Sequence, residues 1–341
     1  MLRDFGELKK IIAYSTNFAP INLKILNKRM RQFFFTVIEF MRFYRKADTR
    51  YRIHSPFVYR FTEEVLEDDR NFYVFKRAES LRANLLSKNN KIEITDFGAG
   101  SHVDGIKKMR RVKDIARSAL SPAFQCRWLF KIVQLFAPEN LIELGTSLGI
   151  STLYLSEAAP KNAVIYTLEG APEIAKIAQN VFDAFHDQVL KPDFIRYNKK
   201  LLKPETLKQL QITNYESREQ NSNINLVVGR FEDTFESVLK KTGKIDFAFI
   251  DGNHRYDATM NYFHTILPYT HAYTVLVFDD IYWSKDMKRA WVDIKNHSSV
   301  TLTIDLFWCG LVFFRKENAE KQHFKLIKAS WKPLVLGFFG S

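Results

Sequence analysis

The sequence predicts an α/β fold: a seven-stranded, mostly parallel sheet with helices on both faces and a terminal antiparallel hairpin, preceded by a helical N-terminal region. From about residue 121 onward, short apolar runs alternate with helical segments at the spacing of β–α–β units. Only a few residues, led by Gly310, separate the last two runs, which indicates a hairpin. The predicted strands are Asn140–Leu144, Ala163–Leu168, Asn225–Val228, Ile245–Ile250, Thr274–Phe278, Val300–Asp305 and Gly310–Arg315.

The same pattern divides the chain into three parts. Residues 1–117 form a mainly helical, basic N-terminal region, residues 118–318 form the α/β domain, and residues 319–341 form a C-terminal tail. The helix after the second strand is predicted to end near His186, well before the next strand. Connections in α/β units typically have about 2–6 residues, so residues 187–223 are predicted to be an insertion.

Composition limits the class of protein. The chain has 341 residues, of which 46% are hydrophobic and 26% are charged, so it can bury a sizeable core. Its two cysteines, Cys126 and Cys309, are far apart and form no CxxC pair. A disulfide scaffold and a zinc cage are therefore excluded, and a reducing cytoplasm is the expected location.

The positive charge is concentrated at one end of the chain. Residues 1–140 carry 27 Lys and Arg against 15 Asp and Glu, and the rest of the chain is nearly balanced within a net charge of +13. Such an excess attracts nucleic acid, anionic lipid or an anionic substrate, and it is equally typical of a solvated surface.

An apolar stretch from Phe33 to Met41 lies inside this basic region. It is interrupted by Glu39 and is far shorter than the roughly 20 residues that span a bilayer. Two interpretations stay open: a helix that packs its aromatic face on the body of the protein, which we favour, and a basic amphipathic helix that lies on a membrane.

The segment LIELGTSLGISTLYLS, from Leu141 to Ser156, predicts a strand, a glycine-rich turn and a helix. In an open parallel sheet a ligand binds beside such a turn. The glycines, Gly145 and Gly149, are four residues apart, whereas a dinucleotide fingerprint needs GxGxxG. Gly149 is followed by Ile150 and not by Lys, which excludes a phosphate-binding P-loop.

Two acidic residues flank this turn in the predicted sheet. Glu143 lies within an apolar strand, where a carboxylate needs a partner, either an amine-bearing ligand or a local backbone amide. Glu169, followed by Gly170, ends the next strand, about 20 residues beyond the turn. An acid at that position suits ribose hydroxyls, so the pair of loops indicates a nucleoside ligand.

Three aspartates follow two neighbouring strands. Asp251 ends one strand, and Asp279 and Asp280 end the next. Ends of adjacent parallel strands lie about 5 Å apart, so we expect the carboxylates to converge. Converging carboxylates repel unless a cation joins them, and oxygen ligands suit Mg²⁺. The alternative is that these aspartates cap a helix and a backbone amide.

The motifs ELGTSLGIS, TLEG, VVGRFED, FIDGNH and VFDD together resemble the class I S-adenosylmethionine-dependent methyltransferases. The most similar branch contains the small-molecule O-methyltransferases of the catechol and caffeoyl-CoA kind, with the related group that carries D-G-x-H followed by D-D. The resemblance covers roughly residues 118–315. It implies a Rossmann-like fold, S-adenosylmethionine as cofactor, and methyl transfer to a hydroxyl of a small molecule.

The resemblance also implies roles for the loop residues. The methionine portion of the cofactor would be held by Glu143 and the turn, the ribose by Glu169, and the adenine by the residues after VVG. The implied cofactor-binding residues are Glu143, Gly145, Thr146, Ser147, Gly149, Glu169, Gly170, Phe231 and Glu232.

The implied catalytic residues are His254 and Asp251, and the implied metal ligands are Asp251, Asp279 and Asp280. Asp280 replaces the asparagine that the catechol type usually carries, which keeps an oxygen ligand and adds charge. His254 stands where those enzymes have a lysine base. Histidine can accept a hydroxyl proton at neutral pH, although a surface or capping histidine is the alternative reading.

Two other classes of protein stay open. One is a nucleic-acid-modifying or nucleic-acid-binding protein that uses the basic N-terminal region, although the aromatic and basic interleaving of RNA modules is missing. The other is a non-catalytic scaffold with the same fold. The expected partner is a small-molecule hydroxyl acceptor; a homodimer stays open, and nucleic acid or a membrane surface is not favoured.

Overall fold

A computed structural model of the protein describes residues 23–95, 107–190, 223–317 and 320–332. Its helices are α1 Leu23–Lys46, α2 Pro56–Phe61, α3 Tyr73–Ser87, α4 Val112–Ala119, α5 Ala123–Phe136, α6 Ile150–Ala158, α7 Pro172–Leu190, α8 Phe231–Thr242, α9 Tyr256–Ile266 and α10 Lys285–Asn296. Its strands are β1 Lys91–Thr95, β2 Lys107–Arg111, β3 Asn140–Leu144, β4 Val164–Glu169, β5 Ile224–Val228, β6 Phe247–Ile250, β7 Val275–Asp279, β8 Leu302–Asp305, β9 Cys309–Phe313 and β10 Gln322–Lys325.

The main sheet has the strand order β10-β8-β9-β7-β6-β3-β4-β5. All neighbouring pairs are parallel except those of β9, which runs antiparallel to both β7 and β8. The predicted α/β class and its terminal hairpin are confirmed. The chain runs outward from β3 to β5 and then returns to β6 on the other side of β3. That reversal creates a crevice at the carboxyl ends of β3 and β6, where open α/β sheets bind ligands.

The number of strands in the main sheet is eight, so the prediction of seven is wrong by one. The additional strand β10 lies in the predicted tail and pairs in parallel with β8, from Gln322 opposite Leu302 to Lys325 opposite Asp305. This strand is short and mostly polar, and it is held at the sheet edge by its backbone ladder with β8 together with side-chain contacts such as that between His323 Nδ1 and the Thr303 hydroxyl at 2.8 Å. An apolar pattern therefore gave no signal for it.

The basic residues just before residue 118 do not form one continuous helix. Residues 107–111 form β2, which pairs antiparallel with β1, and helix α4 begins only at Val112. Helix α7 continues to Leu190, so the first residues of the predicted insertion are helical. The remainder of the predicted insertion, residues 191–222, lies outside the described residues, as do residues 96–106.

The central strands are covered on both faces. Every residue of β6 and β7 is buried, and one face of the sheet packs against the fully buried indole of Trp291 in α10. The N-terminal helices α3 and α4 share a third apolar cluster with α6 and α7, in which Phe75 stacks on Tyr154 with ring centroids 5.4 Å apart. The N-terminal region is therefore packed onto the sheet domain.

Helix α1 contacts the body through its C-terminal half. Phe40 and Phe43 pack on Phe307, with ring centroids 5.0 and 5.5 Å apart. The side chain of Glu39, on the inward face of α1, is buried and forms ion pairs with Arg42 and Lys288. Among the residues described, no helix is long and apolar enough to cross a membrane.

A close approach between β9 and α10 is testable. A Cβ atom at Gly310 would lie 2.5–2.7 Å from three ring atoms of Trp291. We expect Gly310→Ala to lower the free energy of unfolding by about 1–3 kcal/mol in urea titrations, because overpacking a rigid core displaces its neighbours.

Trp291→Phe removes the ring atoms that cause this clash and is the matched partner variant. The double variant is expected to lose less stability than the sum of the two single variants. Additive losses would show that the contact is not the cause.

Candidate active site

A cavity of about 510 Å³ opens at the carboxyl ends of β3, β4, β6 and β7. Ten of the thirteen residues predicted from the sequence line it: Gly145, Ser147, Glu169, Gly170, Phe231, Glu232, Asp251, His254, Asp279 and Asp280. The sheet order explains this convergence, because β6 lies between β3 and β7 and the loop after each strand faces the same edge.

The turn after β3 brings the backbone close to the neighbouring strand. Gly145 has a φ of +105°, and a Cβ atom there would lie 2.2 Å from the carbonyl oxygen of Asp251. The amides of Gly145 and Thr146 both donate to the carbonyl oxygen of Leu168 at 3.0 Å. The buried hydroxyl of Ser147 lines the cavity and has no hydrogen-bond partner in the described structure. A polar ligand atom would satisfy this hydroxyl.

Glu169 connects the two glycine-containing loops. Its carboxylate accepts hydrogen bonds from the backbone amides of Ser147 and Ala171, both at 2.9 Å. Burial raises the pKa of Glu169, and these amide bonds oppose that shift. A carboxylate has about four acceptor positions, so Glu169 can still accept bonds from two ribose hydroxyls.

Glu143 does not line the cavity, and its predicted contact with the cofactor stays a prediction. It is completely buried, and its carboxylate accepts hydrogen bonds from the hydroxyls of Ser151, Thr152 and Thr167 at 2.5–2.6 Å. Burial raises the pKa of Glu143, and the three hydroxyl bonds oppose this. These hydroxyls take the place of both partners expected from the sequence, the ligand amine and the backbone amide.

Thr146 and Gly149 also lie behind the cavity wall. The hydroxyl of Thr146 is 2.6 Å from that of Thr167 and extends the network around Glu143. Gly149 has a φ of +82°, and a Cβ atom there would meet the ring of Phe182 at 2.6 Å. Both residues shape the turn from behind, and their predicted contact with the cofactor stays a prediction.

Phe231 lines the cavity on the side of β5. Its ring lies edge-on to Tyr262, with centroids 5.9 Å apart. A Cβ atom at Gly252 would be 2.4 Å from the Phe231 ring, so the glycine allows this ring to approach the loop after β6. The predicted contacts of Phe231 and Glu232 with adenine stay a prediction.

The three aspartates meet as predicted from the ends of β6 and β7. Asp251 and Asp279 are hydrogen-bonded to each other, and burial, together with the charges of Asp279 and Asp280, raises the pKa of Asp251 well above its ordinary range. Burial and the charge of Asp280 also raise the pKa of Asp279. The crowding of these buried side chains therefore favours the protonated form of Asp251 and Asp279.

His254 faces these carboxylates. Its Nε2 atom lies 3.5 Å from Asp251 Oδ1 and 3.9 Å from Asp280 Oδ2. The side chains of His254 and Asp280 are 28% and 34% exposed, so both are accessible from the cavity.

Within the described ranges, no group of three or more His, Cys, Asp or Glu side chains is arranged as a metal-binding cluster. The oxygen donors of the three aspartates suit a hard divalent cation chemically.

Part of the cavity wall was not predicted. It comes from the N-terminal region and from the turn of the final hairpin: Ile94, Thr95, Arg110, Ser118, Ala119, Leu120, Ser121, Pro122, Gln125 and Trp308. No sequence motif marks these residues, because their position depends on how α4 and α5 dock beside β3. Gly252 and Asn253 lie inside the motif FIDGNH, so that motif already pointed to the loop that they form.

Comparison with known proteins agrees with this geometry. A family model described as a methyltransferase domain matches residues 142–281. This segment runs from within β3 to just after β7 and includes the glycine-containing loops that follow β3 and β4. This part of the chain is therefore similar to methyltransferase domains.

Two curated relatives match shorter segments. A catechol O-methyltransferase of Niastella koreensis is 41% identical over 59 residues, or 17% of this chain and 27% of the relative. The O-methyltransferase hkm8 of Aspergillus hancockii is 38% identical over 73 residues, or 21% of this chain and 29% of the relative. The matched segments thus span less than a third of each relative.

Solved structures with similar folds include an O-methyltransferase of Bacillus cereus in complex with SAH, which is 16% identical with a TM-score of 0.43. That alignment covers 72% of this chain and 92% of the solved one. An O-methyltransferase of Streptomyces achromogenes involved in tomaymycin synthesis, in complex with SAM, is 15% identical with a TM-score of 0.43 and coverages of 75% and 94%.

The aspartate pair predicts a pH dependence of stability. Because the pKa values of Asp251 and Asp279 are raised in the folded state, the folded protein holds a proton that the unfolded chain releases. The stability from this proton is present below the ordinary aspartate pKa of about 3.9 and is lost as the pH rises through the raised values. Asp279→Asn removes one of the two carboxylates, so it should gain stability relative to the wild type as the pH rises above the ordinary aspartate pKa of about 3.9.

Urea unfolding in buffers containing EDTA measures this gain. The control is Asp257→Asn, which changes an exposed aspartate of α9. A stability difference between Asp279→Asn and the wild type that is constant with pH would contradict the raised pKa values.

Proposed function

We propose that this protein transfers a methyl group from S-adenosylmethionine to a hydroxyl of a small molecule. The observation that carries the proposal is that two residues line one cavity. Glu169, an acid at the position that suits ribose hydroxyls, lies at one side, and the accessible base His254 lies at the other. Both curated relatives are O-methyltransferases, and this supports a hydroxyl as the acceptor.

The residues of the cavity suit this cofactor. Glu169 would accept hydrogen bonds from the ribose hydroxyls, and the unpartnered hydroxyl of Ser147 would bind a polar atom of the methionine portion. Asp251, at the end of β6, is close enough to Gly145 to bound the same compartment. When bound, S-adenosylmethionine supplies a methyl group on a positively charged sulfur, and several carboxylates around the cavity favour that charge.

His254 is proposed as the base that takes the proton of the acceptor hydroxyl. Its Nε2 atom is a basic nitrogen within 4 Å of both carboxyl groups, 3.5 Å from Asp251 Oδ1 and 3.9 Å from Asp280 Oδ2. The carboxylates would stabilise the imidazolium after proton transfer, which favours formation of the nucleophilic oxygen. The remaining contribution is alignment of the acceptor oxygen with the methyl group, which a shaped cavity provides.

A divalent cation at Asp251, Asp279 and Asp280 is a second component that we propose to test. When bound, a cation such as Mg²⁺ would orient acceptor oxygens and lower the pKa of the hydroxyl. The donor chemistry supports it, while protonation of Asp251 and Asp279 competes with it. The proposed proton-transfer role of His254 does not require this ion.

A cytoplasmic location is part of the proposal. Cys126 and Cys309 are both buried free thiols. Free thiols of this kind persist in a reducing compartment.

Cofactor binding is tested with Glu169→Gln. This variant keeps the shape of the side chain but weakens its acceptor strength toward ribose hydroxyls and toward the Ser147 amide. We expect the Kd for S-adenosylmethionine in isothermal titration to rise at least about tenfold, or roughly 1.4 kcal/mol.

The matched control is Glu236→Gln, which changes an exposed glutamate of α8 that pairs only with Lys240 at the surface. The control should bind like the wild type. No saturable heat with the wild-type protein would overturn the proposed function.

The base is tested with His254→Asn and the control His264→Asn, an exposed histidine of α9. With catechols and other phenols as acceptors, we expect His254→Asn to keep its affinity for S-adenosylmethionine and to lower kcat by about 10²-fold or more. Formation of S-adenosylhomocysteine measures the rate. An unchanged kcat would remove His254 from the mechanism.

The cation is tested by thermal unfolding with and without MgCl₂. If the aspartates bind Mg²⁺, the wild type should gain stability with increasing Mg²⁺ concentration, and Asp279→Asn should not. Equal responses of the two proteins, together with full activity in EDTA, would argue for a cation-independent site.

A further inference from the structure

One face of helix α1 is apolar and exposed. Six large side chains form this outward face, which we call the α1 stripe: Met30, Phe33, Phe34, Val37, Ile38 and Met41. Their spacing of three and four residues places them on one side of the helix. Phe34 and Met41 are 55% and 54% exposed, which is unusual for side chains of their size.

The opposite face of the same helix is occupied by the body of the protein. Phe40 and Phe43 pack on Phe307, and Glu39 is buried against Lys288. The helix is therefore held firmly by one side, and the α1 stripe points away from the core that the other side covers.

Charge along the edge of the stripe has a single sign. Arg31, Arg42, Arg45 and Lys46 are all exposed. Glu39 is the only carboxylate in the sequence of α1, and its side chain is only 4% exposed because Arg42 and Lys288 pair with it. The outward surface of the described part of α1 thus combines apolar side chains with positive charge.

We propose that the α1 stripe binds an anionic lipid surface, with the helix lying in the plane of the membrane. Aromatic and aliphatic side chains on one face, bordered by Arg and Lys, are the features of interfacial helices, and such helices bind through apolar burial together with attraction to anionic headgroups. The negatively charged cytoplasmic leaflet supplies that charge. Of the two interpretations of residues 33–41 from the sequence, the structure assigns packing to one face of α1 and leaves the other available for lipid.

A second copy of this chain is a poorer occupant. In a two-fold pairing the same surface faces itself, so each stripe would bring its own row of arginines to the contact. Like charges then oppose association, and the described helix surface offers no exposed carboxylate to compensate.

Helix α1 is also connected to the candidate active site. Phe307, on which Phe40 and Phe43 pack, precedes Trp308, and Trp308 lines the cavity. A membrane bound by the α1 stripe would therefore contact the helix that packs on Phe307, next to the residue that forms one wall of the cavity. The proposal does not depend on methyl transfer and is tested without it.

The test is vesicle flotation of the full chain with phosphatidylcholine vesicles, with and without phosphatidylglycerol. We expect binding to the anionic vesicles that weakens with added salt, and little binding to the neutral ones. Phe34→Ser combined with Ile38→Ser removes two exposed apolar contacts without touching the core, and it should lower the partition coefficient at least about tenfold.

Tyr273→Ser is the matched control, because Tyr273 is 76% exposed on a loop far along the chain from α1. This control should bind vesicles like the wild type, and thermal unfolding verifies that all variants are folded. Absence of vesicle binding by the wild type would overturn the proposal, as would equal binding by the double variant. A dimer in sedimentation experiments that the double variant abolishes, without vesicle binding, would assign the stripe to a second copy.

Discussion

The buried carboxylate of Glu143 is the constraint on which the geometry of the site depends. A charge at the centre of the sheet is tolerated only when hydrogen bonds satisfy it, and Ser151, Thr152 and Thr167 provide these bonds from α6 and β4. The end of β3 is thereby tied to the start of the next helix and to the neighbouring strand. The turn between them places the Ser147 amide on Glu169, so a residue outside the cavity lining determines where the cavity-lining residues lie.

The carboxylates of this site have two different functions that follow from their surroundings. Glu143 is surrounded by hydroxyl donors and is structural, while Asp251, Asp279 and Asp280 face the cavity with too few donors for their charge. Burial and the neighbouring charges raise the pKa of Asp251 and Asp279, and His254 lies beside them. The cavity thus brings together the hydrogen-bond acceptor Glu169 and the imidazole of His254.

The sequence predicted those features that depend on the order of strands along the chain. Asp251 and Asp279 could be placed together because they end adjacent parallel strands, and Glu169 could be placed beside the turn for the same reason. The partners of Glu143 were missed because spacing does not reveal which hydroxyls turn inward. Strand β10 and the wall that includes Gln125 and Trp308 were missed because docking of distant segments leaves no local pattern. The exposed stripe of α1 was visible as an apolar run, but only the packed structure separates its two faces.

The most direct test of this account is a crystal structure of the protein with S-adenosylhomocysteine. The account predicts that the nucleoside lies in the cavity, that the ribose hydroxyls bond to Glu169, and that Glu143 still accepts bonds from Ser151, Thr152 and Thr167. A ligand bound elsewhere, or a Glu143 carboxylate that has left its three hydroxyls to contact the ligand, would contradict it.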